Sequence, residues 1–466
     1  MNEASEALRD RGQNQILCDN LWKVMVRLSW PAIVAMVLYG LNAVLAGIFV
    51  GRYVGEDAMA GVSVAYPLSQ ISVALGSLIG TGAGAVLSIA IGRKDTRTQQ
   101  RLMGNVHYLT ILCTILYMVI ALLFSHQLVE MMGGTGPSLA LGEQYYRVTV
   151  YGAFFWIYGL AANMIVRAEG KMKSAALMMA IGLLADVGSN FLLVVHLHWG
   201  VVGAGIANNI GMAVYTVIGL LYFGRGFASF KTRMLAVFRD KDIVKSTLGL
   251  GISAFIMTIM NLLQAVLVFN ALKQYGTLLD TAFYGVVYRI FTFLLTPIFG
   301  LMRALQPVAG INYGAKQYQR VIKSYWVFTA AAIVLTLPFW LLSMISPDPV
   351  LNLMLPNQHF AAAQLLQFRI YMAILPVLSI IFTAMTFFPS INKGKPAAIL
   401  GIARQLVFYV PVMLFLPRFI GVSGIYFGSF AIDSVMIVWT FVLILKEVRN
   451  LHSMEQNRQK VTVLTV

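Results

Sequence analysis

Two carboxylates stand where apolar residues are expected. Asp186 lies in Leu183-Leu184-Ala185-Asp186-Val187-Gly188-Ser189-Asn190, and Asp433 lies in Phe430-Ala431-Ile432-Asp433-Ser434. The chain has 18 acidic residues, and only these two fall well inside long apolar runs. An ionisable group in such surroundings is costly unless it is solvated or paired, which makes each a functional candidate. Asp186 and Asn190 are spaced i, i+4, so a carboxylate and an amide share one helix face. That pair can take up a proton, hold a small dehydrated cation, or tie two helices together. Asp433 is a candidate of the same kind, or the counter-charge of a membrane arginine.

Three arginines, Arg289, Arg303 and Arg404, also fall within or at the ends of apolar runs, all in the second half of the chain. Arg303 precedes Gln306-Pro307 by about one helical turn, and proline there removes a backbone donor. Arg303, Arg289, Gln306 and Asp433 are expected to line a substrate cavity, where a guanidinium binds carboxylate or phosphate bidentately. The competing expectation is that an arginine, Arg303 included, pairs with Asp433 and only holds helices together. Pro31, Pro297 and Pro307 are the expected kinks or hinges. The pair His196-x-His198 has no acidic or cysteine partner nearby and is expected to be an interfacial polar pair, not a metal site. No phosphate-binding loop occurs, so neither ATP drive, a cofactor nor an enzymatic activity is indicated.

The elements that must position these groups follow from composition. Of 466 residues, 59% are hydrophobic and only 11% charged, with a mean hydropathy of +0.77. An average soluble chain is about 25% charged, so a soluble enzyme is excluded, and the 12% aromatic content excludes disorder. What remains is an all-α protein that crosses the lipid bilayer many times. A crossing needs roughly 20 apolar residues. Twelve runs qualify: 24–50, 58–90, 102–124, 145–166, 174–195, 200–223, 247–272, 281–308, 325–345, 362–389, 397–416 and 422–445. The polar first 20 residues show no cleavable leader, so the first run is expected to act as its own insertion signal. Val461–Val466 is apolar, unlike the polar Gln459-Lys460 before it.

The net charge of +16 does not point to nucleic acid, because the basic residues sit in short loops between the runs. Lysines and arginines crowd the two ends and the even-numbered loops: Arg93, Lys94, Arg97 and Arg101 after run two, then Arg167, Lys171 and Lys173 after run four. That asymmetry predicts both termini in the cytoplasm. Two cysteines, Cys18 and Cys113, give no disulfide framework.

The chain repeats itself. Ala58–Val62 matches Ala282–Val286, Gly76 matches Gly300, and Gly170-Lys171 matches Gly394-Lys395, all at an offset of 224 residues. The expected organisation is an N-terminal segment (1–23), a six-helix bundle (24–223), a basic linker (224–246), a second bundle (247–445) and a tail (446–466). Six crossings per half give repeats of the same orientation, a design that suits a cavity at the seam, alternately open to each side.

Three segments carry a family likeness: Ile48–Gly55 with Ala58–Val62, then Gly200–Ala207, and above all Gln306-Pro307-Val308-Ala309-Gly310-Ile311-Asn312-Tyr313-Gly314-Ala315-Lys316. Over roughly residues 22–450 the sequence resembles the MATE (multidrug and toxic compound extrusion) transporters, in their DinF-like and MepA-like bacterial branch. The resemblance implies a V-shaped pair of six-helix bundles in the bacterial inner membrane. It implies export of a small organic solute, driven by H+ or Na+ and needing no other cofactor, with a single chain as the working unit. Lipid-linked oligosaccharide flippases share the twelve-span core and are the alternative, as is an exporter of an anionic metabolite. The sequence departs from the family in span one, where Ala46 replaces a frequent Asp, and in span five, where Asp186 precedes Asn190 instead of following it. With Asn208 early in span six, the expected ion-coupling set is Asp186, Asn190 and Asn208.

Overall fold

The computed structural model describes residues 13–230, 237, 239–352 and 360–464. Among these residues there is no strand. Ten helices are long and apolar enough to cross a membrane. They are spans one (Leu21–Tyr53), two (Glu56–Gly92), three (Thr96–Leu123), five (from Met172), six (Gly200–Gly224), seven (Lys241–Tyr275), eight (Leu278–Gly314), nine (Tyr318–Ile345), eleven (from Gly394) and twelve (Ser423–Leu464). Span four is a pair, Gly136–Tyr151 and Ala153–Ala168, bent by 55° at Gly152. The run expected as span ten is also two helices, Ala362–Ala373 and Ser379–Ser390, separated by turns around Pro376. The proline nitrogen has no hydrogen to continue the ladder. Counted this way, the fold is the expected all-α membrane protein of twelve spans in two six-helix bundles. Leu116, Leu123, Leu184, Val334 and Val438 are exposed, an outward apolar surface that lipid covers.

The three prolines picked out as hinges do not break their helices. Span one stays one helix through Pro31, and span eight through both Pro297 and Pro307. A proline costs one rung of the ladder, and the helix assignment continues on both sides of each. The breaks fall elsewhere: at Gly152, around Pro376, and at two π-helical stretches, Phe191–His196 in span five and Ala403–Tyr409 in span eleven. Spans five and eleven hold corresponding places in the two halves, so the irregularity is repeated along with the fold.

The glycine run of span two decides how the halves meet. Gly76, Gly80 and Gly84 recur every fourth residue, and each lies against span four. A Cβ on Gly76 would meet Ile157 and Leu160, one on Gly80 would meet Ala161 and Met164, and one on Gly84 would come 3.2 Å from Ala168 Cβ. Gly82 points the other way, towards span seven. A Cβ there would lie 1.9 Å from the Thr247 carbonyl oxygen, and one on Gly251 would lie 1.8 Å from that of Leu78. Nearer the ends of spans two and eight, Gly92 faces the Ile311 carbonyl and Gly314 that of Ile89, at 2.1 and 2.2 Å from the same ideal positions. The halves therefore touch backbone to backbone, which small residues alone permit.

Polar contacts seal the same end, which carries the basic loops. Arg320 of span nine donates to the carbonyls of Ile16 and Asp19 at 2.9 and 2.8 Å, tying the N-terminal segment to the second half. Arg101 pairs with Asp240 at 3.3 Å, and Asp240 N donates to Asn105 at 2.7 Å. Ser229 of the linker donates to Glu169, which also accepts from the Tyr222 hydroxyl at 2.6 Å. Span twelve does not end near 445 but continues as helix to Leu464, where Lys393 pairs with Glu447 at 2.6 Å. Its 42 residues extend about 63 Å, twice the hydrocarbon thickness of roughly 30 Å. Four further basic residues of the N-terminal end and the linker, Arg9, Arg11, Lys231 and Arg233, lie outside the described residues.

The seam makes a contrast between neighbouring glycines. Gly249→Ala meets nothing within 4 Å and gains helix propensity of roughly 0.5–1 kcal/mol, so the purified protein's unfolding temperature should hold or rise. Gly251→Ala must push spans two and seven apart at a cost of roughly 1–3 kcal/mol, so its unfolding temperature should fall by several degrees. Equal unfolding temperatures for the two variants would show that the seam is not close-packed.

Candidate functional site

Asp186 is 3% exposed near the end of the regular part of span five. Asn190, one turn on, donates to Asp186 Oδ1 at 2.9 Å and to the Asp186 carbonyl at 3.1 Å. Asn42 of span one lines the same cavity as the carboxylate. Gly211 of span six makes room for it: a Cβ there would lie 2.6 Å from Asp186 Cβ. Asp186, Asn42, Asn208 and Tyr215 line a cavity of about 50 Å³ within the first half. A water's share of liquid volume is about 30 Å³, so this space suits an ion or one or two waters and is too small for an organic solute. Asn208 lines it while donating to the Tyr145 hydroxyl at 2.9 Å. The side-chain oxygens of Asn42 and Asn190 are buried and accept no hydrogen bond. Buried acceptors are nearly always satisfied, and oxygens of this kind suit a hard cation. Of the three residues expected here, Asp186 and Asn208 line this cavity, and Asn190 is bonded to Asp186 but lies outside the lining.

Asn42 was not among them. Its signal is an amide in an otherwise apolar run, one turn before Ala46, so span one offers an amide where the family resemblance led us to look for an acid.

A larger cavity of about 260 Å³ lies between the halves. Spans one, two, four and five of the first half and seven, eight and ten of the second contribute to its wall. Arg303 and Gln306 are both there, as expected. Gln306 Nε2 donates across the seam to the Thr81 carbonyl at 3.0 Å, so it closes the floor of the cavity. Met36, Met164, Met179, Met257, Met302 and Met385 supply most of the apolar wall, and methionine adapts readily to irregular shapes. Tyr39, Leu160 and Met179 line both this cavity and the smaller one, so the two share a wall.

Arg167 does not lie where the charge pattern put it, in the loop after span four. It occupies the last turn of Ala153–Ala168, is 4% exposed and lines the central cavity. Leu160, Asn163, Met164 and Arg167 all line that cavity, at i, i+3, i+4 and i+7. That helical stripe is legible in the sequence, and counting lysines and arginines by loop hid it.

The comparisons with known proteins fit this geometry. A model of the MatE family matches residues 31–192 and 249–415, one stretch in each half. The chain belongs to the MATE family. It is 24% identical over 427 residues to the multidrug export protein MepA of Staphylococcus aureus (strain MRSA252), covering 89% of this chain and 91% of that protein. MepA of Staphylococcus haemolyticus (strain JCSC1435) is 24% identical over 428 residues with the same coverage. Among solved structures, a MATE multidrug resistance transporter of the MOP superfamily in an outward-facing conformation superimposes with a TM-score of 0.86 at 22% identity, over 94% of this chain and 98% of that one. A MATE protein in a bent conformation gives 0.88 at 22%, over 95% and 98%. The multi-pass membrane architecture is thus that of the family.

The remaining charges fall outside the MATE central cavity. Asp433 does not meet Arg303. It forms a two-pronged pair with Arg404, Nε to Oδ1 at 2.7 Å and Nη2 to Oδ2 at 3.2 Å, with side chains 6% and 14% exposed. Arg404 sits in the π-helical stretch of span eleven, and the pair is enclosed by Tyr371, Tyr409 and Gln264 around a space of about 10 Å³. No substrate fits there, so Asp433 is not a cavity residue. Arg289 is exposed and lines none of the three cavities, so it too leaves the expected substrate set.

Breaking the buried pair from one side should be expensive. Asp433→Asn leaves Arg404 uncompensated, a loss of about 3–5 kcal/mol, and should lower the unfolding temperature markedly. The double variant Asp433→Leu, Arg404→Leu should recover most of it. A double variant no better than the single one would mean that packing, and not charge, dominates there.

Proposed function

We propose that this MATE-family chain is a secondary transporter that exports small organic solutes across a bacterial inner membrane, driven by one coupling cation, H+ or Na+, per cycle. The observation that carries the reading is the pairing of cavities: an ion-sized space around Asp186 shares the Tyr39 and Met179 wall of a solute-sized space between the halves. The multidrug export described for the MepA relatives supports the same activity here. The moving units are residues 24–223 and 247–445, joined by the linker 224–246. A single chain contains both cavities and both units.

The glycine contacts and the Gln306–Thr81 bond close the basic face, which the charge rule assigns to the cytoplasm together with both termini. Cation arriving from the opposite side reaches Asp186, changes the charge in the smaller cavity behind the shared wall and alters the packing of spans one and five. Solute leaves on that side, and the seam must part at the basic face to reload. Differential binding to two packings of the same helices is all that such coupling needs.

The test is transport by the full chain in liposomes with imposed pH or sodium gradients, using fluorescent organic solutes of either charge. Asp186→Asn should reduce gradient-driven flux to background with expression intact. Wild-type flux in that variant would sink the coupling assignment.

A second outcome concerns the seam. Gln306→Leu removes one cross-seam hydrogen bond, worth about 0.5–1.5 kcal/mol, and should shift the closed-to-open equilibrium at the basic face roughly two- to tenfold. The reporter is Ser253→Cys in the cavity wall, in a chain lacking Cys18 and Cys113, labelled by an impermeant thiol reagent from the basic face. Faster labelling is expected. An unchanged rate would mean that Gln306 does not restrain closure.

A further inference from the structure

We infer that Arg167 and Arg303 form a two-arginine clamp for the acidic group of an organic anion, so that the central cavity selects a small amphiphilic acid rather than an organic cation. This names the substrate class of the transporter proposed above and rests on that reading. Arg167 comes from span four of the first half and Arg303 from span eight of the second, so the clamp straddles the seam.

The charge of both arginines is unanswered. Among the described residues neither guanidinium has an ion pair or a hydrogen bond, and no carboxylate lines the cavity. The nearest candidates are committed elsewhere: Asp186 to Asn190 at the smaller cavity, and Asp433 to Arg404. The two guanidinium groups lie within electrostatic range of each other and of the Tyr39 and Tyr215 hydroxyls. Two like charges in a low-dielectric wall repel, and neutral phenols offset only part of that. Buried charges in native proteins are paired or bind something of opposite sign. Five donors per guanidinium, in a planar fork, match a carboxylate, phosphate or sulfonate.

The rest of the cavity fits the other end of such a molecule. Phe299 and the methionines offer an apolar wall beside the arginines. The volume of about 260 Å³ sits just below the usual range for ligand pockets, roughly 300–1,000 Å³, so the acid is small. An organic cation placed here would face two positive charges with no acid to receive it.

The experiment uses the purified full chain in detergent and three probes with one ring system: 2-naphthoate, 2-naphthylmethylammonium and 2-naphthalenemethanol. Binding is read by calorimetry. Naphthoate should bind at least tenfold more tightly than the ammonium probe, and Arg167→Gln or Arg303→Gln should each weaken it at least tenfold. Arg289→Gln should leave it unchanged. If the glutamine variants do not fold, Arg167→Lys and Arg303→Lys keep the charge, and a several-fold loss of naphthoate affinity in each is expected. Tighter binding of the ammonium probe, unaltered naphthoate affinity in the arginine variants, or competition showing that only chloride or sulfate occupies the site would overturn the clamp. Liposome transport separates this from the parent reading. Naphthoate bound through the arginines but never moved by a gradient would leave the clamp standing and remove the transporter. Gradient-driven flux of the ammonium probe, indifferent to Arg303→Gln, would do the reverse.

Discussion

The contact between spans two and seven is the constraint on which the rest depends. Where Gly82 and Gly251 let two backbones touch, the halves are held closer than any side chain would permit. The other face of the same glycine run holds span four against span two. Span four in turn carries Arg167 into the cavity, and span eight, locked to the end of span two through Gly92 and Gly314, carries Arg303 and Gln306. One helix with two glycine faces thus fixes both the depth of the central cavity and the positions of its charged groups.

Three buried charge sites differ in how their charge is met, and that difference separates their roles. Asp433 and Arg404 answer each other with two hydrogen bonds in a space that admits nothing else. Such a pair contributes to holding spans eleven and twelve in place and offers nothing to a ligand. Asp186 is met only by an amide, which can orient a carboxylate but cannot neutralise it. Arg167 and Arg303 are met by nothing ionic at all. Moving from the second half through the seam to the first half, the protein passes from a closed ion pair to two sites that each need a partner of opposite sign.

Much of this was legible in the sequence. Composition and run length gave the membrane class. The i, i+4 spacing of Asp186 and Asn190 put a carboxylate and an amide in contact, because helical geometry alone brings those two groups together. Arg303 stood out as an arginine in an apolar run and Gln306 as the amide before Pro307, and both line the central cavity. What escaped was anything that depends on which face of a helix meets which neighbour. Asp433 could have met any of three arginines, and only the packing of spans eleven and twelve selects Arg404. Arg167 was misplaced because a charge at the end of a span looks the same in sequence whether it points out to water or back into the bundle. Proline positions do not by themselves locate the breaks: spans one and eight stay helical through Pro31, Pro297 and Pro307, while the helices are interrupted at Gly152 and around Pro376.

The two π-helical stretches have a consequence for how the chain tolerates change in length. A π turn accommodates one residue more than an α turn over the same rise, so each stretch is, in effect, a single-residue insertion stored inside a crossing. Span five keeps Asp186 and Asn190 in register on one side of Phe191–His196 and the start of span six in register on the other. Span eleven does the same around Ala403–Tyr409. Deleting one residue within either stretch would let it relax to a regular helix with both flanks still facing their neighbours. The same deletion a turn earlier, beside Asp186, would rotate the carboxylate away from Asn42. The two crossings are therefore places where the length of the protein can drift by one without cost to its ligand-binding faces.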